Sequence, residues 1–489
     1  MSEIITYLLF YPTFFYFAYH FSGLELAFYR RPRNGGASIE AGLSHLTTNH
    51  PELEEFCALG SDLTDSGLHI LLSQAPNLKK LTWNMCKITG ETLPDPPASF
   101  QSLALLELDL LECWSLSRQG FLKIVSYIRP ETLTLFKPPK HINFDLESVA
   151  LELRNLESLD IFHGVSITEK TFTALLNNVG HCLKKLRLES VGFDLPTSGG
   201  LLTTKLPKLE NLSIDRCYEI SEESFIAFLN IVSTSLRKLE IDSCKISLSS
   251  VDLLTSSFPK LDELKIEYCS TITERTFISF LNRVGPSLMR LKFDLRVHLS
   301  ATVSLSLLPI NIDKFMLIGY NYNCENEFIT FLNLVGASLK KLDFSERSIT
   351  LSAVDSLTTQ LTTLQELNMS CCSSISSDRL YAFLNRVGPG LRKLNLNQLE
   401  LDNLAGIDSL TAEFPNLRLL DIQSCFVESH QVDKSNIYRL FCKIGNATVR
   451  IGSRCKIISA LMEVQRSYPN VTLNFSDVID FDSESDDSD

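Results

Sequence analysis

Five carboxylates recur along the chain at one position of a repeating pattern. Each is the seventh residue of a leucine-rich stretch such as LRKLEIDSC (236–244), and successive acids are 25 to 27 residues apart. The five are Glu189, Asp215, Asp242, Glu267 and Asp294. A row of like charges focuses the local field and attracts a basic segment of a partner. The spacing therefore predicts a contact stripe, and the alternative is a solvated rim or acids that cap loop amides.

The third residue of the same stretches alternates in sign. One run reads Lys238, Glu263 and Arg290, and another reads Lys341, Glu366 and Lys393. Opposite charges at one height of neighbouring strands form ion pairs, each worth a few tenths of a kcal/mol. We interpret these residues as an ion-pair ladder beside the acids, and we include Lys238, Glu263 and Arg290 in the candidate partner-binding surface.

Catalytic motifs are absent from the sequence. It contains no G-x-G-x-x-G, no G-x-x-x-x-G-K-[ST], no H-E-x-x-H and no G-x-S-x-G. Cys371 flanks the predicted exposed face and is the one thiol that we considered for reactivity. The sequence therefore predicts a protein that is not an enzyme and that has no cofactor and no metal site.

The elements that position these residues follow from a repeat of about 52 residues. FLN-like blocks open with Leu or Phe at regular steps, and the openers are Leu68, Phe121, Phe172, Phe225, Phe277, Phe328 and Leu380. Each unit contains two copies of L-x-x-L-x-L-x-x-C, so the basic repeat is about 26 residues long. A period of this kind indicates a solenoid.

Each coil reads as a strand, a loop, a capped helix and a return. The last two leucines of L-x-x-L-x-L are two residues apart, so both point to one face of a short strand. In ITERTFISFLNRV (272–284) the apolar residues fall at i, i+3, i+4 and i+7, which is one stripe of a helix. Thr273 occupies the N-cap position, and Ile272 and Phe277 form a hydrophobic staple across it. Stacking such coils buries their apolar edges.

The composition of the chain limits the partners and the cellular location that we expect. The chain has 489 residues, of which 44% are hydrophobic and 21% charged, and its net charge is −13. An acidic chain lacks the dense Lys/Arg surface that nucleic acid requires. The 13 cysteines recur mostly at the ninth repeat position, where a free cysteine acts as a small core residue. We expect reduced thiols and a cytoplasmic or nuclear location.

The two ends of the chain differ from the repeats. Residues 4–24 carry no formal charge and are rich in Phe and Tyr, which predicts an apolar cap over residues 1–19, with membrane contact or a targeting segment as alternatives. Residues 476–489 are expected to be a disordered acidic tail because they cannot bury enough apolar surface. Ser483, with Asp486 three residues on, is a phosphorylation candidate for an acid-directed kinase. Residues 20–475 are predicted to form the solenoid.

The pattern in LKIEYCSTITERTF (264–277) and LSIDRCYEISEESF (212–225) resembles the cysteine-containing leucine-rich repeats. That resemblance implies an α/β leucine-rich-repeat solenoid, a ribonuclease-inhibitor-like horseshoe of about 15–16 coils with parallel strands concave and helices convex. Proteins with such repeats include the F-box/leucine-rich-repeat substrate receptors of cullin–RING ubiquitin ligases. No F-box pattern is recognised in residues 1–50.

Three functions follow as expectations. The first is a protein-interaction scaffold. The resemblance implies that such a scaffold recognises substrates in an F-box type ubiquitin ligase and has a cullin-ligase adaptor as a partner. The second is an inhibitor or scaffold that binds a basic protein through the acidic stripe. The third is a membrane-tethered repeat receptor that uses the N-terminal run.

Overall fold

The computed structural model divides the chain into two compact units, Met1–Lys260 and Leu261–Asp489. The structure describes these residues: 15–20, 23–29, 43–44, 47–59, 63–84, 86–139, 152–162, 168–196, 202–203, 205–294, 312–318, 325–346, 349–372, 374–399, 406–423, 434–444, 446–451 and 458–475.

The first unit alternates strands with helices and short turns. Its described strands are β1 (Phe15–His20), β2 (Gly23–Tyr29), β3 (Leu53–Leu59), β4 (Lys80–Asn84), β5 (Glu107–Asp109), β6 (Leu135–Lys137), β7 (Ser158–Ile161), β8 (Lys185–Glu189), β9 (Asn211–Asp215) and β10 (Lys238–Asp242). Its helices are α1 (Asp65–Gln74), α2 (Arg118–Ser126), α3 (Glu169–Val179) and α4 (Glu222–Val232).

The second unit repeats this plan. Its described strands are β11 (Glu263–Glu267), β12 (Arg290–Asp294), β13 (Lys314–Ile318), β14 (Lys341–Asp343), β15 (Glu366–Asn368), β16 (Lys393–Asn395), β17 (Leu419–Asp421), β18 (Thr448–Arg450) and β19 (Thr472–Asn474). Its helices are α5 (Glu274–Val284), α6 (Glu325–Val335), α7 (Ser377–Leu384), α8 (Lys434–Lys443) and α9 (Ile458–Gln465).

Within each unit the strands pair in chain order and in parallel. The fourth repeat position stays aligned from strand to strand, as Leu159, Leu186, Leu212 and Leu239 show across β7 to β10. These four leucines are at most 1% exposed, so the predicted inward face forms the core. The predicted α/β leucine-rich-repeat solenoid is confirmed by this register.

Strand β1 is the exception because it pairs antiparallel with β2. Strand β2 contains the GLELAF segment and pairs in parallel with β3, as a first repeat strand would. Among the described residues no helix is both long and apolar enough to cross a membrane. The cap assigned to residues 1–19 stays a prediction, since residues 1–14 lie outside the described part.

The helices begin where the sequence predicts. Thr168, Ser221 and Thr273 are N-caps whose side chains accept a hydrogen bond from the N3 amide, and at Thr273 a second bond completes a capping box. The stripe on α5 is buried, with Phe277 and Phe280 at 1% and 0% exposure. This packing holds each helix against the layer of strands.

Strand length depends on the fifth repeat position. In β14 to β17 this position holds Asp343, Asn368, Asn395 and Asp421, and each side chain accepts a hydrogen bond from the amide two residues on. The side chain thus takes the donor that would extend the ladder, which is the Asx-turn competition expected of these residue types. These strands end after three residues, whereas Glu240 at this position lets β10 continue to Asp242.

The eighth repeat position turns the chain away from the sheet. Ser190, Arg216, Ser243 and Tyr268 have φ of 53°, 51°, 50° and 49°, a left-handed conformation that is uncommon for residues other than glycine. Hydrogen bonds to the next coil hold it: the Ser190 amide donates to the Asp215 carbonyl over 2.7 Å. The turn directs the ninth residue inward, and six cysteines at that position are buried with free thiols: Cys86, Cys113, Cys217, Cys244, Cys269 and Cys372.

The asparagine of the FLN blocks connects each helix to the following coil. The Asn333 side-chain amide donates to the Ser356 carbonyl over 2.9 Å, and its Oδ1 accepts the amides of Thr358 and Thr359 at 2.7 and 3.0 Å. Asn230 and Asn385 make equivalent bonds to their own following coils. The repeated FLN therefore encodes two core residues and one connector between coils.

A second connector starts two of the helices. Glu325 accepts hydrogen bonds from the amides and hydroxyls of Thr350 and Ser352 in the following coil, and Glu222 binds its following serine-rich coil in the same way. Burial raises the pKa of each carboxyl, but these hydrogen bonds outweigh it, so both pKa values lie below the usual range. These carboxylates stabilise the stacking of coils when they are ionised.

Candidate partner-binding surface on the strand face

The exposed side of the strands, which we call the strand face, consists of the third, fifth and seventh repeat positions. Strand β10 shows the pattern: Lys238, Glu240 and Asp242 are half-buried, while Leu239 and Ile241 between them are fully buried. Because side chains alternate along a strand, every coil presents three residues to the strand face. Lys238 and Asp242 therefore lie on the face that the sequence predicts.

Three of the five acids lie side by side in the first unit. Glu189, Asp215 and Asp242 end β8, β9 and β10, and the register aligns Glu189 with Asp215 and Asp215 with Asp242. Neighbouring strands are about 4.8 Å apart, so the three carboxylates span roughly 10 Å. We call these three residues the acidic trio.

Two arginines lie against the acidic trio. The Glu189 carboxylate is 3.2 Å from an Arg187 guanidinium nitrogen and 3.8 Å from one of Arg216, and Arg216 Nε is 3.6 Å from Asp215 Oδ1. Arg216 is the left-handed turn residue after β9, and its side chain is 57% exposed. Arg216 was not predicted as a site residue, because nothing in its repeat position indicates that its side chain folds back over the strand end.

Asp215 is the least solvated member of the trio. It is 9% exposed, and its buried Oδ1 has no hydrogen bond among the described residues. Burial raises the pKa of the Asp215 carboxyl, and the negative charge of Asp242 raises it further than Arg216 lowers it. Asp242 itself accepts a hydrogen bond from the Ser243 hydroxyl over 2.8 Å. The centre of the trio thus holds a largely buried carboxylate whose ion pair with Arg216 spans 3.6 Å.

Next to the trio the fifth repeat position carries alternating charges. Lys137 Nζ is 3.1 Å from Asp109 Oδ2, and Asp160 lies between Lys137 and Arg187 along the sheet. Burial raises the pKa of the Asp160 carboxyl, while the two cations lower it by less. These residues were not predicted as site residues, although the alternation of charge at the fifth repeat position is visible in the sequence, as it is at the third.

The candidate basic residue of the first unit pairs within its own strand. Lys238 Nζ is 3.1 Å from Glu240 Oε1, two residues along β10. Both side chains are largely covered at about one-third exposure or less. Lys238 therefore lies on the strand face beside the trio, with part of its charge balanced locally.

In the second unit the candidate residues form close ion pairs. Glu267 Oε2 is 2.9 Å from Lys265 Nζ. Glu263 is 6% exposed, and its Oε2 is 3.4 Å from Arg290 Nε, while a second Arg290 nitrogen is 3.3 Å from Asp262 Oδ1. The predicted cross-strand pairing of Glu263 with Arg290 is confirmed.

The other predicted ladder in this unit is also present. Lys341 and Lys393 contact Glu366 from either side at 3.0 and 3.6 Å. The fifth acid, Asp294, ends β12 and aligns with Ile318 of β13. The proposal that these acids bind a partner stays a prediction for both units.

Little in the described residues suggests catalysis. No group of three or more His, Cys, Asp or Glu residues suited to a metal ion occurs within them. The Cys371 thiol donates to Gln398 Oε1 over 3.1 Å, and burial raises its pKa, which lowers the thiolate fraction that reactivity requires. Ser483 lies outside the described residues.

No protein-family model matches the chain. Among solved structures, the complex of Rad7 and Elc1 from yeast is similar at 16% identity, with 91% of this chain and 89% of that chain covered and a TM-score of 0.37. The leucine-rich repeat-containing protein LegL7 from Legionella pneumophila is similar at 15% identity, with 63% of this chain and 97% of that chain covered and a TM-score of 0.34. The fold assignment rests on the strand register described above.

Proposed function

We propose that this protein is a protein-binding scaffold and that the acidic trio of Glu189, Asp215 and Asp242 binds a basic segment of a partner. The observation that carries the proposal is the alignment of the three carboxylates at the ends of neighbouring strands, where burial and the charge of Asp242 raise the pKa of Asp215. A Lys or Arg from a partner would relieve the charge repulsion between Asp215 and Asp242. The same cation would form a charge-assisted hydrogen bond with the half-buried Asp242 carboxylate.

The geometry of the trio suits an extended segment that crosses the strands. The outer carboxylates of Glu189 and Asp242 are two strand spacings apart, roughly 10 Å, which three residues of extended chain cover. Arg187 and Arg216 already balance part of the charge. We therefore expect moderate affinity and an association rate that falls with salt.

The test is binding of a short labelled arginine-rich peptide to the full chain, measured by fluorescence anisotropy at low and moderate salt. The variant Asp215→Asn/Asp242→Asn removes two charges with little change in size. We expect binding to weaken about tenfold at low salt, because each lost ion pair contributes about 0.5–1 kcal/mol at partly exposed sites.

The matched control is Glu223→Gln/Asp252→Asn, which removes the same charge from exposed positions in α4 and in the helical turn after β10. This control should bind the peptide as the natural chain does. Equal weakening by both double variants would show a general effect of net charge and would refute the proposed site.

A finer function, substrate recognition in a cullin–RING ubiquitin ligase, is what the repeat resemblance implies, and we propose it as the cellular setting of the scaffold. Affinity purification of the tagged chain from its own cells tests it directly. Recovery of a cullin and its adaptor would support the ligase setting. Their absence would refute the ligase setting, whereas binding by the acidic trio is tested separately by the peptide assay. The third expectation, a membrane-tethered receptor, predicts that the chain is recovered with membranes on fractionation.

A further inference from the structure

The second repeat position forms ion pairs between successive coils. In each pair an acid of one coil contacts a base of the next. The pairs are Glu54 with Lys79 at 2.6 Å, Glu157 with Lys184 at 2.8 Å, Glu210 with Arg237 at 3.8 Å and Asp313 with Lys340 at 2.7 Å. The alternation of acid and base thus neutralises this edge of the repeats.

After Lys340, in the second unit, two bases follow at this position with no acid between them. Gln365 stands where the next acid belongs, Arg392 follows in the position of the base, and Arg418 adds a second cation one coil later. The three are neighbours, since the Arg392 amide donates to the Gln365 carbonyl over 2.7 Å and the Arg418 amide donates to the Arg392 carbonyl over 2.8 Å. No carboxylate of the described residues forms an ion pair with Arg392 or Arg418. Two positive charges therefore lie together without an acid such as those that pair with Lys184 and Lys340.

A surface pocket of about 390 Å³ opens at this place. Its walls include Lys340, Gln365, Arg392 and Arg418. Gly390 also lines it, and a Cβ at that residue would lie 3.3 Å from the Thr362 carbonyl oxygen, so a larger residue would crowd the wall. The two arginines thus line a concave space rather than a flat surface.

We propose that this pocket binds a phosphate monoester. A guanidinium presents paired N–H donors whose spacing matches phosphate oxygens, and the two arginines, each directly before one of the adjacent strands β16 and β17, balance the charge of a phosphate dianion. Lys340 adds positive potential, although Asp313 holds its ammonium. The Gln365 side-chain amide completes a polar lining. This site is separate from the acidic trio in residues and in sign of charge, so it does not depend on the proposed function.

The sharpest test restores the missing acid. In Gln365→Glu the new carboxylate should pair with Arg392, as the acids of the other coils pair with their bases. We expect binding of a phosphoserine peptide to the full chain to weaken at least about tenfold by titration calorimetry, the equivalent of one charge-assisted hydrogen bond. Thermal unfolding of this variant should not occur at a lower temperature than that of the natural chain, which separates loss of binding from loss of folding.

Two further variants complete the design. Arg392→Gln/Arg418→Gln should abolish binding, whereas Lys184→Gln, which removes a paired cation from the same repeat position in the first unit, should leave it unchanged. Equal binding by Gln365→Glu and the natural chain, or equal loss with Lys184→Gln, would overturn the proposal. So would equal affinity for the unphosphorylated peptide with glutamate in place of phosphoserine.

The source of the phosphate is distinguished by a second ligand. Glycerol phosphate carries the same monoester without a peptide. If it competes with the phosphopeptide at comparable concentration, the pocket serves a small soluble phosphate. If it does not compete while the phosphopeptide still binds through Arg392 and Arg418, the pocket serves a phosphorylated protein segment, and both results support a phosphate monoester site.

Discussion

Removal of one FLN asparagine side chain should loosen the contact between two coils by a predictable amount. Asn333→Ala deletes three hydrogen bonds to backbone groups of the next coil, those with Ser356, Thr358 and Thr359. A hydrogen bond contributes about 1 kcal/mol net, and water can replace the partners at the two exposed sites but less well at the part-buried Thr359 amide. We expect a loss of about 2 kcal/mol.

The assay is hydrogen exchange of the Thr358 and Thr359 amides, because these are the two backbone amides that donate to Asn333 Oδ1. A loss of 2 kcal/mol corresponds to an increase of roughly 30-fold in their exchange rates if the coil opens locally. Thr358→Ala is the control, since it removes only the side-chain bond to Asn333 and leaves the backbone bonds in place. We expect that control to change exchange less than about threefold.

Exchange at both amides within threefold of the natural chain in Asn333→Ala would refute the reasoning. It would show that the FLN asparagine recurs in each repeat but does not hold successive coils together. The same substitution at Asn230 and Asn385 should give similar effects, because both side chains make the same three backbone bonds.

Three further predictions follow from the packing and from the titration of buried groups. Glu325 has a pKa below its usual range in the fold. The stabilisation from its ionised carboxylate is therefore present above the unfolded pKa and is lost as the pH falls through the folded pKa. In urea denaturation at pH near 6 and near 3, the free energy of unfolding of Glu325→Gln should depend less on pH than that of the natural chain. Burial raises the pKa of the Cys217 thiol to about 11, so iodoacetamide at mildly alkaline pH should modify exposed Cys442 first and Cys217 only after unfolding, as read by mass spectrometry. Gly120→Ala should destabilise the first unit by about 3 kcal/mol in thermal or urea unfolding, because its Cβ would lie 2.1 Å from the Thr89 carbonyl oxygen.

Much of the fold could be predicted from the sequence because its determinants are local and periodic. The leucine at the fourth position, represented by Leu212 and Leu239, fixes which face of each strand is buried. Thr273 combines a preferred N-cap residue type with the correct distance from the apolar stripe. Such features need only the order of residues and the geometry of one strand or one helix.

The remaining features depend on where a side chain goes after the backbone is in place. Arg216 adopts a left-handed turn and its side chain returns over the acidic trio, which repeat position alone does not indicate. Strand ends depend on whether an Asx side chain, as at Asp343, takes a backbone donor. Gln365 can be interpreted as a missing acid only once the structure shows that its neighbour Arg392 forms no ion pair with the described residues.

The acidic stripe illustrates this limit for the site itself. The sequence places Glu189, Asp215 and Asp242 at one height, and the structure agrees. Their unequal burial, with Asp215 at 9% exposure, could not be read from repeat position. That difference distinguishes Asp215 from the two acids beside it.

The most direct test of partner binding by the acidic trio is quantitative affinity purification from the protein's own cells, with the natural chain and Asp215→Asn/Asp242→Asn compared at low and moderate salt. We predict a basic protein that is retained by the natural chain at low salt, released at moderate salt and missing from the variant. A set of partners that is the same for both chains at both salt concentrations would contradict the proposed role of the trio.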